Sequence, residues 1–454
     1  MGSIAKPVRY QMDGVPSARR AIDDGRDLLD DGSLVLLMPE PPHVSPDPQF
    51  DMHEVPRHFT AAMPAVLLIG NYVPDGQQSM QRFAAVMAQG LAAAGVGVTV
   101  IRPEPFFGRL RPGGTGLGKW LGYLDKFFVF PRRLKRRIRE LREANDGRLV
   151  VHICDHSNAF YTRHLCGVPH LVTCHDLLAV RSALGEISQN PTRWSGRLLQ
   201  SLIRRGLERA RAIACISEAT CRDLCRIVPG AKSRSSVISN GLNAEFHPVP
   251  KDAARARVST LTDEKGVRLP ADARYVVHVG GDQWYKNRKG VLEMFCELCR
   301  SSAGGDLWLM MVGKPLGAEL RTLIDDAGMR NRVVELSHVS HEDLCAIYSS
   351  AELLLFPSLQ EGFGWPVVEA QACGCPVVTS ARPPMTDVGG DAAAYVDPEN
   401  LPSANEILLR VLHEDAASRR EREARGFANA ARYSTQVMIA TYLTLYEKLA
   451  GEVA

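Results

Sequence analysis

The chain has 454 residues, of which 23% are charged and 45% hydrophobic, and its formal net charge is +3. This length exceeds that of one typical core and predicts at least two domains, while the nearly balanced charge does not favour a nucleic-acid partner. Because no apolar run reaches the ~18 residues of a membrane span and the first residues lack the pattern of a signal peptide, the sequence predicts a cytoplasmic protein.

Residues 1–60 differ in composition from the rest of the chain. Prolines cluster in the stretch PEPPHVSPDP at residues 39–48, and only SLVLLMP is typical of a strand. This pattern predicts an irregular extension that packs on the first domain.

A first series of short apolar runs follows, separated by helical segments. The runs occupy residues 65–70, 96–101, 149–154, 170–175 and 212–217. Short buried strands that alternate with helices are typical of a parallel α/β sheet. We therefore expect a first Rossmann-like domain over residues 61–248.

Polar residues follow several of these strands. The loop after the first strand contains Asp75, Gly76 and Gln77 just before a helix, which favours binding of an acceptor or of a donor phosphate. We assign these three residues to the acceptor.

Two histidines end later strands, and each has an acidic neighbour. His156 follows Asp155, and His175 precedes Asp176. A histidine at a strand end can donate to a sugar hydroxyl or to a leaving phosphate, and the adjacent carboxylate can orient it or bind the acceptor. Which of the two histidines faces the donor stays open.

A basic segment lies between the second and third runs. Residues 127–142, FFVFPRRLKRRIRELR, place seven basic residues among aromatic and aliphatic ones in a predicted helix. Such a helix can rest on an anionic membrane surface. A solvated basic face explains the pattern equally well.

A second series of apolar runs predicts a second sheet over residues 249–432. The runs occupy residues 275–280, 307–313, 333–339, 352–357 and 376–380, and residues 433–451 form a predicted amphipathic helix. In two Rossmann-like halves, ligands bind beyond the carboxyl ends of the strands.

The first strand of this second series leads into GGDQWYKN. Gly280 and Gly281 permit close approach of a backbone, and Lys286 brings a positive charge to the predicted site. A leaving diphosphate needs such compensation. Arg288 or Lys289 could supply a second charge.

The segment PSLQEGFGWPVVEAQACG, residues 357–374, carries two glutamates across a turn. Glu361 follows a predicted buried strand, Gly362 and Gly364 leave room for a ligand, and Glu369 projects from the next helix. Backbone amides at such a helix start favour phosphates. Carboxylates beside an anion site are suited to binding sugar hydroxyls.

The glutamates, separated by seven intervening residues in EGFGWPVVEA, resemble the signature of the retaining GT4 glycosyltransferases. Similar segments occur in the family's order at residues 215–220, 237–248, 276–295 and 374–398, so the resemblance extends over roughly residues 64–454. It implies the GT-B fold, an α/β fold in which two Rossmann-like domains face across a deep cleft. Residues 433–454 would cross back to complete the first domain, and residues 249–432 would bind the donor.

The resemblance also implies roles for single residues. Lys286 would contact the donor diphosphate, Glu361 would support the donor sugar, and Glu369 would bind the ribose hydroxyls. The donor-binding residues would be Gly280, Gly281, Lys286, Val339, Glu361, Gly362, Phe363, Gly364 and Glu369. By position, His156 matches a family histidine that approaches the donor sugar, and His175 resembles the family's His-Asp pair. One subgroup carries arginine after the first glycine, where this chain has Gly281.

The implied reaction is retaining transfer of a hexose of the mannose or glucose type. The donor would be a GDP- or UDP-linked sugar, and the acceptor a saccharide or lipid-linked saccharide in polysaccharide or glycolipid assembly. A nucleotide-sugar epimerase and a non-catalytic sugar-nucleotide-binding subunit are the alternatives.

Other motifs are weaker. The chain has no Asp-x-Asp pair, which predicts metal-independent transfer without a cofactor. GGTGLGKW at residues 113–120 has P-loop spacing, but Trp120 replaces the magnesium-binding Ser or Thr. Cys296 and Cys299 have no second ligand pair, so the eleven cysteines are expected to be free thiols.

Overall fold

The computed structural model describes residues 63–110, 116–264, 266–300 and 305–452. The predicted extension at residues 1–60 and the first part of GGTGLGKW lie outside these ranges. The described chain forms two compact units. Unit 1 contains the described residues of Met1–Cys154 with Arg163–Leu171 and Leu443–Ala454, and unit 2 contains Asp155–Thr162 and Val172–Tyr442. The predicted boundary between residues 248 and 249 stays a prediction.

Twelve strands are present in the described residues. They are β1 Ala65–Ile69, β2 Val98–Ile101, β3 Leu149–Ile153, β4 His170–Cys174, β5 Ala212–Cys215, β6 Ser235–Val237, β7 Tyr275–Gly280, β8 Trp308–Gly313, β9 Val333–Leu336, β10 Leu353–Phe356, β11 Val377–Ser380 and β12 Ala394–Val396. They form two six-stranded sheets, in the orders β2-β1-β3-β4-β5-β6 and β12-β11-β10-β7-β8-β9. The predicted α/β class with two parallel sheets is confirmed.

Fifteen α-helices in the described residues separate these strands. They are α1 Gln78–Ala93, α2 Gly116–Leu124, α3 Phe130–Ala144, α4 Leu178–Ala183, α5 Trp194–Arg209, α6 Glu218–Ile227, α7 Lys251–Val258, α8 Arg288–Arg300, α9 Ala318–Asp326, α10 His341–Ser350, α11 Trp365–Ala372, α12 Met385–Gly389, α13 Leu401–Leu412, α14 Ala416–Ala431 and α15 Thr435–Gly451. A π-helical turn, Asp125–Val129, joins α2 to α3, so the predicted helix over the basic segment is confirmed.

Every strand predicted within the described residues is present, and two short strands had not been predicted. The central strands β3, β4 and β5 are buried at each residue, as expected for a parallel sheet covered on both faces. The two additional strands, β6 and β12, have three residues each and lie at sheet edges. Apart from the buried Val396, their residues are at least partly exposed, so these strands lack the continuous apolar run that identifies a buried strand.

The end of α15 belongs to unit 1. Its Tyr446 is fully buried, and the hydroxyl lies 2.7 Å from Nδ1 of His152 on β3. Leu443 and Leu449 are also buried. The part of α15 from Leu443 onwards thus packs into the core of unit 1, and completion of the first domain by residues 433–454 stays a prediction.

The second sheet reverses its strand order in the middle. From β7 the chain builds outwards through β8 and β9, then returns to the other side of β7 with β10 and continues to β11 and β12. Leu353 and Leu354 of β10 pair directly with Val276 and Val277 of β7. Loops that follow two such neighbouring parallel strands diverge at the carboxyl edge, where α/β sheets bind ligands.

No described helix combines the length and apolar composition that crossing a membrane requires.

Candidate functional site

The loops that follow β7 and β10 are fastened to each other. Asn287 has a left-handed backbone conformation with φ of 53°, and its Nδ2 donates to the carbonyl oxygen of Pro357 at 3.0 Å. The backbone N–H of Leu359 donates to the carbonyl oxygen of Tyr285 at 2.8 Å. These bonds flank Lys286 on both sides and fasten the segment that leads to Glu361, two residues after Leu359.

Lys286 and Glu361 form an ion pair between the two loops. The distance from Nζ of Lys286 to Oε1 of Glu361 is 2.7 Å, and only 15% and 8% of the two side chains are exposed. The ammonium also lies 4.9 Å from the ring centroid of Phe356 and 5.8 Å from that of Tyr285. The predicted phosphate-binding and sugar-binding residues therefore meet at the reversal of strand order.

Glu369 projects from α11, one helix after Glu361. It is buried, and the hydroxyl of Tyr348 on α10 donates to its Oε2 at 3.0 Å. Burial, followed by the charge of Glu369, raises the pKa of Tyr348 well above its usual value. The phenol is thus a fixed hydrogen-bond donor that holds the carboxylate in place.

The glycines around Glu361 are needed for packing within the protein. A Cβ on Gly362 would lie 2.2 Å from the carbonyl oxygen of His175 and 3.2 Å from Cβ of Asp176. Gly364 has φ of 104°, and a Cβ there would meet Met385. Approach of a ligand to these glycines stays a prediction, but close packing already excludes a side chain at Gly362.

Gly280 and Gly281 face a similar constraint. A Cβ on Gly280 would lie 2.9 Å from Nε2 of His278, and one on Gly281 would lie 2.5 Å from Oε1 of Gln283. Nδ1 of His278 donates to the carbonyl oxygen of Leu355 at 2.9 Å. Burial, with the nearby charges of Lys286 and Arg288, lowers the pKa of His278 to about 4, so the ring beneath Gly280 is neutral.

Arg288 and Lys289, which could supply a second positive charge, differ in exposure and in their partners. Arg288 is buried, and its Nη2 donates to the carbonyl oxygen of Lys314 at 2.6 Å. Lys289 is exposed, and its Nζ lies 3.7 Å from Oε1 of Glu293. Arg288 therefore holds the loop after β8, and Lys286 is the cation paired at the site.

His156 and Asp155 form a second buried ion pair in unit 2. Nδ1 of His156 lies 3.1 Å from Oδ1 of Asp155, whose carboxylate also accepts from the N–H and hydroxyl of Ser157 at 2.9 and 2.6 Å. Burial alone would raise the pKa of Asp155, but the contact with His156 holds it well below its usual range. Burial alone would lower the pKa of His156, but Asp155 and then Asp176 raise it.

His175 and Asp176 lie against the loop that carries Glu361. The carbonyl of His175 is in close contact with Gly362, and Ser217 Oγ donates to the carbonyl oxygen of Gly362 at 2.8 Å. Oδ1 of Asp176 accepts from the N–H of Leu178 at 3.0 Å. These contacts place the predicted His-Asp pair next to the predicted donor residues, all within unit 2.

Tyr285 interacts with the charges of both Glu361 and Asp176. Burial, followed by the charges of Glu361 and Asp176, raises its pKa above the usual value. The phenol therefore stays protonated and can donate a hydrogen bond.

Three residues of the site were not predicted from the sequence: Tyr285, Tyr348 and Ser217. Only Ser217 had a signal, as a serine beginning a helix at which its hydroxyl accepts from the N–H of Thr220 at 3.1 Å.

Val339 and Phe363 are mainly core residues. Phe363 is buried and packs edge-on against Trp365 and Tyr433, with ring centroids 6.0 and 5.5 Å away. Val339 packs partly buried against the same hydrophobic cluster. Their donor-binding roles stay predictions.

The predicted acceptor loop lies in unit 1. Asp75 is paired with Lys126, whose Nζ is 2.7 Å from Oδ2. Gly76 has φ of 70°, and Oε1 of Gln77 accepts from Nδ2 of Asn71. The acceptor assignment of Asp75, Gly76 and Gln77 stays a prediction.

Among the described residues, no group of three or more His, Cys, Asp or Glu side chains is arranged to hold a metal ion. All eleven cysteines are free, including Cys296 and Cys299. The metal-independent reaction stays a prediction.

The fold is that of the GT-B proteins. Sucrose-phosphate synthase from Thermosynechococcus elongatus superposes with a TM-score of 0.66 at 21% identity, and the match covers 86% of this chain and all of that one. Residues 80–246 match the model of Glycosyltransferase Family 4, and residues 260–430 match that of Glycosyl transferases group 1. The chain belongs to the GT4-type glycosyltransferases.

Two curated relatives are similar over part of their length. D-inositol 3-phosphate glycosyltransferase from Mycolicibacterium smegmatis is 28% identical over 293 residues, which are 62% of this chain and 62% of that protein. O-antigen chain mannosyltransferase B from Escherichia coli is 25% identical over 255 residues, which are 56% of this chain and 65% of that protein. The matched region thus spans less than two thirds of each relative.

We predict that Asp155→Asn lowers the pKa of His156, because it removes the negative charge that favours the imidazolium. The raised pKa stabilises the fold below the unfolded-state pKa, and this contribution is lost as the pH rises through the folded-state pKa. Histidine NMR titration measures the change, with Asp415→Asn, an exposed helix cap, as the control. An unchanged titration of His156 would contradict the assigned pair.

Proposed function

We propose that the protein is a retaining hexosyltransferase that uses a nucleotide diphosphate sugar. The observation that carries the proposal is the Lys286–Glu361 ion pair at the reversal of strand order, 2.7 Å long and mostly buried. A buried cation beside a carboxylate suits a ligand that is both anionic and rich in hydroxyls, and a sugar diphosphate has this chemistry. The two curated relatives are named for sugar transfer, one of them for mannose.

Lys286, Glu361 and Glu369 have separate proposed roles in the transfer reaction. Lys286 would neutralise the charge that develops on the diphosphate as the sugar–oxygen bond breaks. Glu361 would support the donor sugar, and Glu369, held by Tyr348, would accept from the ribose hydroxyls. Front-face attack assisted by the leaving phosphate would retain the anomeric configuration.

His156 and His175 are the proposed helpers. With its raised pKa, His156 carries a proton more readily than an ordinary histidine, and it can donate to a sugar hydroxyl or to the diphosphate. Asp155 and Asp176 would orient the histidines or bind the acceptor hydroxyls. The acceptor is proposed to be a saccharide or lipid-linked saccharide in polysaccharide or glycolipid assembly.

A screen of donor sugars tests this function most directly. GDP- and UDP-linked mannose and glucose should raise the thermal unfolding temperature, and at least one should transfer its hexose. Interconversion of the donor without an acceptor would instead identify an epimerase. Donor binding without turnover in the presence of saccharide acceptors would identify a binding subunit.

We also propose that unit 1 docks on an anionic membrane through residues 127–142. Trp120, Leu124 and Phe128 are spaced four residues apart and are 58%, 39% and 58% exposed. Arg132 and Arg136 continue the same spacing and are exposed on α3. An exposed apolar stripe that continues into a basic one suits the interface of an anionic bilayer, where rings insert between the lipids and arginines meet the phosphates.

A segment that is hydrogen-bonded to the π-helical turn also exposes apolar side chains. Phe106 and Leu110 are 66% and 76% exposed, and the N–H of Gly108 between them donates to Oδ2 of Asp125 at 3.0 Å. Asp125 is fully buried in the π-helical turn. This bond fastens the segment to the start of the basic helix.

Glu369→Gln should weaken binding of the free nucleoside diphosphate by on the order of 1–3 kcal/mol, since it loses charge-assisted hydrogen bonds to the ribose. Calorimetry with GDP and UDP measures the loss. Glu421→Gln, an exposed acid, serves as the control. Unchanged affinity with an intact fold would remove the ribose role.

Transfer should survive excess EDTA, because Lys286 takes the place of a cation at the diphosphate. Lys286→Ala should lower turnover at least about a hundredfold. Lys289→Ala is the matched control, since this lysine lies nearby but is exposed. Loss of activity on chelation, with recovery on adding manganese, would show a metal requirement and contradict this proposal.

Arg132→Glu combined with Arg136→Glu should release the protein from vesicles that contain anionic lipid. Each basic residue at the surface contributes about 1 kcal/mol of attraction, and the attraction should weaken with salt. Co-sedimentation at low and high salt measures binding, with Arg420→Glu and Arg425→Glu on α14 as the matched control. Equal sedimentation of all three proteins would assign the segment to a solvated face.

A further inference from the structure

The Lys286–Glu361 pair joins two groups that the proposed function assigns to different parts of one ligand. Lys286 would bind the diphosphate, and Glu361 would bind the sugar. In this structure the ammonium and the carboxylate are instead 2.7 Å from each other, with 15% and 8% of the side chains exposed. Glu361 therefore lies where the diphosphate would contact Lys286, and Lys286 lies where the sugar would contact Glu361.

The surroundings of Lys286 make a counter-charge necessary. The ammonium lies among the rings of Phe356 and Tyr285, at 4.9 and 5.8 Å from their centroids. A charge withdrawn from water needs a partner, because its desolvation is costly. Glu361 supplies that partner, and an entering diphosphate can supply another.

The loops leave the pair little freedom to separate by backbone movement. Asn287 is hydrogen-bonded to Pro357 and Tyr285 to Leu359, so these bonds flank Lys286 on both sides and hold the chain just before Glu361. Gly362, the residue after Glu361, is held by Ser217 and packed against His175. Exchange of partners must therefore occur through side-chain rotation at a fixed site.

We propose that Glu361 competes with the donor diphosphate for Lys286. In the free protein, Glu361 neutralises the buried ammonium. When a donor binds, the diphosphate takes over Lys286, and the released carboxylate becomes free to accept from a sugar hydroxyl. When the nucleoside diphosphate leaves after transfer, the ion pair re-forms, so that Glu361 favours product release.

This mechanism rests on the proposed function, and it makes an unusual prediction about affinity. Removing the charge of Glu361 should impair transfer but tighten binding of the diphosphate, because the anion no longer displaces a carboxylate. A residue that only contacts the sugar would not affect a ligand that has no sugar. Inorganic pyrophosphate is therefore the probe, since it has neither sugar nor base.

The experiment compares pyrophosphate affinity by calorimetry in the wild-type chain and in single and double variants. Glu361→Gln should bind pyrophosphate at least about tenfold more tightly than wild type, as expected when a competing charge is removed. Glu369→Gln removes the same charge from a neighbouring carboxylate paired with Tyr348, and it should change the affinity much less. Glu361→Asp, which retains the charge, should stay close to wild type and guards against a folding defect.

A second comparison tests whether the increase in pyrophosphate affinity depends on Lys286. In a Lys286→Gln background, Glu361→Gln should no longer tighten binding. Equal or weaker binding by Glu361→Gln alone, an equal gain in Glu369→Gln, or a gain that persists without Lys286 would each overturn the proposal. Absence of pyrophosphate binding in every variant would overturn it as well.

These results are distinguishable from failure of the proposed function. The titration uses the free enzyme and requires no turnover, donor base or acceptor. A protein that transfers no hexose could still show the exchange at Lys286, and an active transferase could lack it.

Discussion

The site depends on keeping one ammonium buried beside one carboxylate. Removing one member of a buried ion pair typically costs 3–5 kcal/mol, so Lys286 and Glu361 require each other in the free protein. The reversed strand order places β10 directly beside β7, and two hydrogen bonds fasten the following loops. The same strand order that brings the residues together thus also forms the proposed ligand site.

Packing around this pair explains several small residues. Gly362 is a glycine because the carbonyl of His175 occupies the space for a side chain, and Gly280 lies over the neutral ring of His278. These contacts carry Asp176 close enough to Glu361 for both to raise the pKa of Tyr285. Glu361 and Asp176 therefore act on the same phenol, and removal of either charge should lower the pKa of Tyr285.

The sequence predicted the sheets, because continuous apolar runs are a local signal. Motif spacing is also local, and it indicated Lys286, Glu361 and Glu369 as candidates whose roles stay predictions. It could not predict that Lys286 pairs with Glu361, since that contact depends on strand order. The interpretation of the glycines as room for a ligand stays a prediction. Their close packing against the protein's own backbone and side chains depends on the fold and could not be predicted from one sequence. Tyr285 and Tyr348 were missed because a buried tyrosine next to a carboxylate has no recognisable pattern in one sequence.

Lys286 and Glu361 are proposed to form the receiving site for a sugar diphosphate, and a crystal structure of the protein with a bound nucleoside diphosphate would test this. We expect diphosphate oxygens within hydrogen-bonding distance of Nζ of Lys286, and a Lys286–Glu361 separation clearly greater than the present 2.7 Å. A nucleoside diphosphate bound elsewhere, with the ion pair intact, would contradict the proposed site.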